Sequence, residues 1–384
     1  MQQILYGIDI FLQQAAVYKN KRIGFVTNDA AVTSRGTLSR LALLQCGFTI
    51  VKLFSPEHGI SRSGDDGAAQ QNHTDAVTRL PVISLYGTTL APAAADLEDI
   101  DIMVFDIPDV GCRFYTYLWT MTYVMEACAQ YHKPLIILDR PNPTGALLEN
   151  AEGPFLDEAH CASFIGRWNI PVTHCCTLGE LALYFTAQKM PDLTVEVITV
   201  QHYRRHHTAW QDFTFVPTSP AIQNIQTALL YPGTGLLEGI NINEGRGTAT
   251  PFTSCGAPWI NKEALLLHWQ QKQIPGITTT AVTYTPANGL YAGAICNGLA
   301  FEVTDGSLLR PVAMGMALLK TILELYPLHI TERLYITAAN PTGTKHLDKL
   351  LGVDHAFAKL KCGDIIPTAI SGEWKNRIAR YLLY

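Results

Sequence analysis

The chain has 384 residues, of which 48% are apolar and 16% are charged, so it can bury a sizeable core and is not expected to be disordered. Its net charge of −5 provides no basic field for a nucleic-acid backbone, which excludes nucleic acid from the expected partners. No stretch approaches about 18 uninterrupted apolar residues, so no membrane span is predicted.

The first ten residues lack a basic region, and Gly7 and Asp9 interrupt their apolar run. As written, the sequence therefore predicts a cytoplasmic protein, and a periplasmic or secreted one if an export signal has been removed. The nine cysteines are scattered without a C-x-x-C pair, which is typical of reduced thiols. Two arginines interrupt the histidine cluster at 202–207 and would repel a cation, so no metal is predicted. Nothing in the sequence predicts the oligomeric state.

In the first half of the chain, apolar runs alternate with segments of helical spacing. The runs at 22–28, 48–54, 81–87, 101–107 and 134–140 predict strands, and the spacing at 37–46 and 115–132 predicts helices. Continuous apolar strands that alternate with helices are typical of a parallel sheet buried on both faces. The expected fold class is therefore α/β, with a Rossmann-like parallel sheet and helices on both faces.

One predicted strand ends in a turn that carries an acid and an imidazole. The run Ile50-Val-Lys-Leu-Phe-Ser-Pro-Glu-His-Gly59 stops at a proline, which cannot continue a central ladder, and its glycine allows a sharp exit. Glu57 and His58 are thus expected at the carboxyl end of a strand, where open α/β sheets bind ligands. The alternative is that Glu57 only caps the next helix and His58 only packs locally.

The other predicted strands also end in polar residues. Several strands that end in acids, amides and arginine predict a polar rim that binds a polyhydroxylated or charged small molecule. The candidate binding residues at these ends are Asn28, His58, Asp106, Asp109, Asp139, Arg140 and Asn142.

The second half is predicted to complete the sheet and then form a smaller domain. Thr177 and Glu180 match a capping box, and 193–200 alternates like a strand. The Pro- and Gly-rich stretch 217–258 places a domain junction near Pro232. Further strands are predicted at 277–285 and 298–304, and helices at 262–273, 311–326 and 365–383. The predicted domains are 1–231, Rossmann-like, and 232–384, a smaller α+β unit that closes the active cleft.

A glycine-rich loop, Glu244-Gly-Arg-Gly-Thr248, lies just past this junction and could close over the rim. Its glycines permit close approach to a ligand, and Arg246 offers a planar fork for a carboxylate. The alternative is a tight inter-domain turn in which Glu244 and Arg246 pair with each other. The nearby glycines at 233, 235 and 239 miss the dinucleotide spacing, so no cofactor is predicted.

Five ordered motifs resemble the NamZ family over essentially the whole chain. They are Ser55-Pro-Glu-His-Gly59, Phe105-Asp-Ile-Pro-Asp-Val-Gly-Cys-Arg-Phe-Tyr-Thr-Tyr117, Leu138-Asp-Arg-Pro-Asn-Pro143, Glu152-Gly-Pro154 and Glu244-Gly-Arg-Gly-Thr-Ala-Thr-Pro-Phe252. Members of this family are exo-acting β-N-acetylmuramidases that remove N-acetylmuramic acid from non-reducing ends of peptidoglycan fragments. The resemblance implies a Rossmann-like amino-terminal domain, a smaller carboxyl-terminal domain and an active cleft between them.

The residues and the resemblance both point to Glu57 and Glu244 as the two catalytic carboxylates that glycoside hydrolysis requires. Glu57 is expected to be the acid because it follows an apolar strand, and Arg246 is expected to keep Glu244 ionised as base or nucleophile. Asp106 and Asp109 are substitutes for either role.

Muramic acid carries a lactyl carboxylate, for which a buried cation is expected at Arg113, Arg140 or Arg246. Tyr115, Tyr117 and Trp119 could stack on the sugar, although core packing is the expected role of at least one of them. A non-catalytic module that binds cell-wall sugars or another carboxylated molecule is the alternative function.

Overall fold

The computed structural model describes residues 2–14 and 16–384. The strands of its larger sheet are β1 (Arg22–Thr27), β2 (Thr49–Ser55), β3 (His73–Thr74), β4 (Pro81–Ser84), β5 (Ile102–Asp106), β6 (Leu135–Leu138) and β7 (Val195–Ile198). Their order is β3-β4-β2-β1-β5-β6-β7. All neighbours pair in parallel apart from β3, which lies antiparallel to β4 at one edge. The predicted parallel sheet is confirmed, with one short antiparallel edge strand added.

Helices bury both faces of this sheet. They include α1 (Gly7–Gln14), α2 (Ser39–Gln45), α3 (Ala94–Leu97), α4 (Tyr117–Gln130), α5 (Glu158–Cys161) and α6 (Leu178–Lys189). Along β5, Met103 belongs to the same apolar cluster as Leu118 of α4, whereas Val104 belongs to a second cluster with Phe11 of α1. Because successive side chains of a strand point to opposite faces, the sheet needs continuous apolar strands. The predicted capping box at the start of α6 is also present.

The smaller part contains an antiparallel sheet of order β8-β10-β9, formed by β8 (Ser254–Ala257), β9 (Ile277–Tyr284) and β10 (Cys296–Val303). The remaining helices are α7 (Ile225–Thr234), α8 (Lys262–Gln270), α9 (Pro311–Leu325), α10 (His346–Leu351), α11 (Ala356–Cys362) and α12 (Ser371–Ile378). The helix expected at 365–383 begins only at Ser371, after Pro367, which lacks a backbone donor. Within the described residues, no helix has the length and apolar character needed to cross a bilayer.

The segment around Pro232, where the sequence predicted a domain junction, is helical. Pro232 lies within α7, and the predicted boundary at 231 falls inside this helix. A Cβ added at Gly233 would lie 2.1 Å from the Pro311 carbonyl oxygen, and one at Gly315 would lie 2.4 Å from the Gly233 carbonyl oxygen. Glycine is therefore needed where α7 and α9 approach each other. The division into two domains at 231 stays a prediction.

Candidate active site

The turn after β2 holds Glu57 in a buried position. His58 and Gly59 both adopt positive φ, of 66° and 72°, so the chain reverses sharply after the strand. The Gly67 N–H donates a 3.0 Å hydrogen bond to Glu57 Oε1. Burial raises the pKa of Glu57, which the nearby His58 lowers and Asp66 raises further. A carboxylic acid whose pKa is raised in this way can deliver a proton near neutral pH.

Glu57 lines a cavity of about 760 Å³ between the two parts of the molecule, here called the inner cavity. Most of its walls are buried side chains, including Tyr86 and Tyr115 from the larger part. The smaller part contributes Glu238, Arg246, Tyr335, Asn340, His346 and Lys349. This mixture of aromatic walls and a few polar groups is typical of a small-molecule site.

A second space, the outer groove, adjoins the inner cavity. It shares His58, Asp66, Ala221, Arg246 and Tyr335 with the cavity and has a volume of about 1350 Å³. Exposed residues line much of its rim: Ser63, Asp65, Asn288, Gly289, Leu334 and Ile336. The five shared residues therefore lie where the buried inner cavity meets the open outer groove.

Asp66, which the sequence analysis missed, stands at this passage. One oxygen of Asp66, one of Glu57 and a ring nitrogen of His58 lie within 4.8 Å of one another. Arg246 Nη2 lies 3.1 Å from Asp66 Oδ1, and the Tyr335 hydroxyl donates to Asp66 Oδ2. Burial works to raise the pKa of Asp66, but Arg246 and Tyr335 outweigh it and leave that pKa below its ordinary value. Its side chain remains 32% exposed, so it can reach a ligand.

Glu238 is a second acid that the sequence analysis missed. It lies in a short 3-10 helix, Gly235–Gly239, and its Oε1 is 2.9 Å from Arg246 Nη2. Burial raises the pKa of Glu238 to about 7 despite the opposing effect of Arg246. Its position in an apolar, glycine-rich run gave no sign that it faces a cavity.

Glu244 lines the outer groove, and only 1% of its surface is exposed. Its carboxylate lies 3.4 Å from Arg246 Nε and 3.1 Å from Arg333 Nη1. The pairing between Glu244 and Arg246 that was the alternative to a catalytic role is thus present. In the same loop, Gly247 has a φ of 79°, and a Cβ there would lie 2.5 Å from the Asn288 carbonyl oxygen. The catalytic role of Glu244 stays a prediction.

Among the other predicted residues, Tyr115 lines the inner cavity and donates a 2.8 Å hydrogen bond to Thr218 Oγ1. Arg113 lies outside that lining and is fully buried, with its guanidinium donating to the carbonyl oxygens of Pro154, Ile170 and Leu350. Its contacts hold backbone from both parts of the molecule.

The polar strand ends of β1, β5 and β6 also lie outside the inner cavity. Asp106 accepts hydrogen bonds of 2.5 and 2.9 Å from Arg140, and Asn28 accepts one of 3.0 Å from the Ala30 N–H. Asp109 and Arg140 line a separate space of about 370 Å³. Asp139 accepts from the Thr177 hydroxyl, the Gly179 N–H and the Tyr384 hydroxyl, and Asn142 donates to the Cys176 carbonyl. The binding roles of these residues stay predictions.

Within the described residues, one group has the spacing of a metal site: Glu57, His58 and Asp66. His58 Nδ1 lies 2.8 Å from the Gly64 carbonyl oxygen, so its Nε2 is the nitrogen left for a ligand. The Arg246 guanidinium beside Asp66 already supplies the positive charge there and would repel a metal cation. These groups therefore suit proton transfer better than metal binding.

Comparison with known proteins identifies the fold. The family model described as exo-beta-N-acetylmuramidase NamZ, N-terminal, matches residues 23–226, and its C-terminal counterpart matches residues 229–384. The chain belongs to the NamZ family. A curated member, the peptidoglycan beta-N-acetylmuramidase NamZ of Bacillus subtilis (strain 168), is 39% identical over 98% of this chain and 91% of its own length.

Two crystal structures of DUF1343 family proteins from Bacteroides fragilis share this NamZ fold. They are 27% and 28% identical to the chain, with TM-scores of 0.85 and 0.71, and each comparison covers 100% of this chain and 99% of the other. The family resemblance and the fold class predicted from the sequence are both confirmed.

Proposed function

We propose that this protein is an exo-β-N-acetylmuramidase that releases N-acetylmuramic acid from the non-reducing ends of peptidoglycan fragments. Membership of the NamZ family and the 39% identical relative support this activity. The arrangement of the two spaces also favours an exo-acting enzyme. The inner cavity accommodates a terminal sugar, and the adjoining outer groove accommodates the rest of the fragment.

The observation that carries the mechanism is the contrast between Glu57 and Asp66. Two adjacent carboxyl groups have environments that push their pKa values apart, upward for Glu57 and downward for Asp66. Such a pair supplies the acid and the ionised carboxylate that glycoside hydrolysis needs. Glu244 lines only the outer groove and is 1% exposed, whereas Asp66 lines both spaces, so we assign the ionised role to Asp66.

In the first step, Glu57 donates its proton to the glycosidic oxygen as the bond to the anomeric carbon breaks, and Asp66 forms a bond to that carbon. Glu57 then removes a proton from water, which attacks the same carbon and releases Asp66. One oxygen of each group lies within 4.8 Å of one oxygen of the other, which is less than the separation of about 6.5–9.5 Å that leaves room for the water of an inverting enzyme. The expected first product is therefore the β-anomer, detectable by proton NMR.

Hydrolysis of a chromogenic N-acetylmuramide tests the proposal, with the matching N-acetylglucosaminide as the comparison substrate. Glu57→Gln and Asp66→Asn should each lower kcat by about 100-fold or more, the size of losing a positioned acid or nucleophile, with the fold intact by circular dichroism. Glu302→Gln, which changes an exposed residue of β10, is the control and should leave turnover unchanged.

Wild-type protein that binds the muramide without hydrolysing it would indicate a binding module instead. Should Asp66→Asn retain turnover while Glu244→Gln loses it, the ionised role belongs to Glu244.

A further inference from the structure

Two cations, Arg246 and Lys349, line the inner cavity. Arg246 is surrounded by acids, with Asp66, Glu238 and Glu244 at 3.1, 2.9 and 3.4 Å. Asp66 alone can balance its single charge, and Glu244 is shared with Arg333. Arg246 is therefore already compensated and offers little net attraction to a negatively charged group of the substrate.

Lys349 has no such compensation. Its Nζ donates to two neutral acceptors, Asn340 Oδ1 at 2.8 Å and the Thr344 carbonyl oxygen at 3.0 Å. Across residues 2–14 and 16–384, no carboxylate oxygen lies within 4.0 Å of this ammonium group. An ammonium has three donors, so one remains for a ligand. Burial lowers the pKa of Lys349, against the opposing effect of the nearby Asp348.

The adjacent acid, Asp348, is not the missing carboxylate partner of Lys349. Its carboxylate accepts the N–H groups of His355 and Ala356 at the start of α11. Asp348 and Lys349 are sequence neighbours on α10, and neighbouring residues of a helix do not face each other. Asp348 therefore forms no ion pair with Lys349, which lines the inner cavity.

His346 lies on the same face of α10, three residues before Lys349. It is only 5% exposed, lines the inner cavity and has no hydrogen-bond partner at either ring nitrogen among the described residues. Its ring stacks on Tyr335 with centroids 4.4 Å apart, which fixes its orientation. Burial lowers the pKa of His346 to about 3, so the ring is neutral at pH 7. Buried polar atoms without partners are costly, and a polar ligand would satisfy them.

We propose that Lys349, with His346 and Asn340 beside it, forms an anion subsite that binds the lactyl carboxylate of the terminal N-acetylmuramic acid. This inference rests on the proposed function and adds the residue that selects the substrate. The arginines expected for this role are engaged elsewhere, since Arg113 holds backbone carbonyls and Arg140 pairs with Asp106. Lys349 is the cation of the inner cavity whose charge a carboxylate would balance.

Substrate preference and ligand binding test the subsite. Lys349→Met should lower kcat/KM for the chromogenic N-acetylmuramide by about 10-fold or more, the scale of one lost charge-assisted contact, and should spare residual N-acetylglucosaminide hydrolysis. The lactamide form of the muramide, which has no negative charge, should be hydrolysed equally by wild type and variant. Lys349→Arg should restore part of the preference because it keeps the charge. Lys359→Met, at an exposed position of α11, is the matched control.

Calorimetry on the Glu57→Gln background gives a readout that is independent of turnover. There, Lys349→Met should weaken binding of N-acetylmuramic acid by about 10-fold or more and leave N-acetylglucosamine binding unchanged. Equal losses on the acid, the lactamide and the glucosaminide would overturn the inference, as would unchanged binding of N-acetylmuramic acid. If Lys349→Met does not fold, Lys349→Gln is measured in its place. Absence of muramide hydrolysis by the wild type would instead overturn the proposed function.

Discussion

Glu57 and Asp66 belong to one loop, yet their carboxyl groups meet different surroundings. Glu57 faces buried walls and receives a single backbone N–H at Oε1. Asp66 faces a guanidinium and a phenol that come from the smaller part of the molecule. Contact with the smaller part thus lowers the pKa of Asp66 relative to that of Glu57, because Arg246 and Tyr335 stabilise the ionised form of Asp66.

Asp66→Asn should lower the pKa of Glu57, since it removes a nearby negative charge that favours the protonated acid. The pKa can be read by carbon NMR of the labelled Glu57 carboxyl group, which does not require turnover. Asp65→Asn removes an exposed neighbouring charge and should shift the pKa less. An unchanged or raised Glu57 pKa in Asp66→Asn would show that the two carboxyl groups do not interact.

The sequence identified Glu57 and His58 because a proline and a glycine bracket them at the end of an apolar strand. Asp66 also has a glycine beside it, in Gly64-Asp-Asp-Gly67, but no strand leads into it. Its position depends on a contact with Arg246, which is 180 residues away along the chain. Lys349 and His346 gave no signal, because their helix is short and only the fold brings it to the cavity. The local sequence pattern reveals functional residues at the ends of strands. Functional residues that come from a distant part of the chain can be identified only from the structure.

At the scale of elements, Glu152 joins the larger part to helix α9. Its carboxylate accepts the N–H groups of Val312 and Ala313, at 3.1 and 2.9 Å, in the first turn of that helix. Those N–H groups have no partner within the helix, so Glu152 satisfies them from outside. Burial nevertheless raises the pKa of Glu152 to about 7, against the effect of these two donors and of Arg310.

This raised pKa predicts a pH-dependent contribution to stability. Because the native state holds the Glu152 proton more tightly than the unfolded chain, the contribution is complete below about pH 4.5 and is lost as pH rises through about 7. Glu152→Gln removes the titration, so the fall in unfolding free energy between pH 5 and 7 should become shallower by on the order of 1 kcal/mol per pH unit. Urea denaturation across this range measures it. An unchanged slope would contradict the raised pKa.

The order of strands and helices along the chain could be predicted because most strands of the parallel sheet are continuous apolar runs, and β7 alternates between apolar and polar residues. The domain junction predicted near Pro232 lies in a helix, which the Pro and Gly content of that segment did not indicate. Burial of Leu229 and Leu230 and the close contact of Gly233 with α9 favour the helix there. The packing of this segment therefore outweighs the low helix propensity of its proline and glycine residues, where the segment contacts both parts of the molecule.

Across the whole molecule, one apolar cluster runs through both parts. It contains Met103 and Phe105 of the large sheet together with Leu299 of the small sheet and Trp374 of α12. Polar contacts follow the same path, since the Trp374 indole N–H donates to the His174 carbonyl oxygen at 2.7 Å. Shared burial of this kind makes separate unfolding of either part costly, because it would expose the common core.

The two parts should therefore unfold in a single transition. Arg113→Met should shift this whole transition to a lower denaturant concentration. The substitution leaves the carbonyl oxygens of Pro154, Ile170 and Leu350 buried without their donor, which should lower the unfolding free energy by about 3 kcal/mol or more. Hydrogen exchange of β5 and β10, measured through a denaturant titration, reports on the two sheets separately.

The matched control for this prediction is Arg22→Met. Arg22 pairs with Asp101 on the surface, where 51% of its side chain is exposed, so its loss should hardly change the unfolding free energy. In Arg113→Met, β5 and β10 should lose protection at the same, lower denaturant concentration. Loss of protection in β10 well before β5 in the wild type would show that the shared core does not couple the parts. In that case Arg113 would stabilise only the contact between the two parts. Its replacement would then increase the difference in denaturant concentration between two separate unfolding transitions, instead of shifting a single transition.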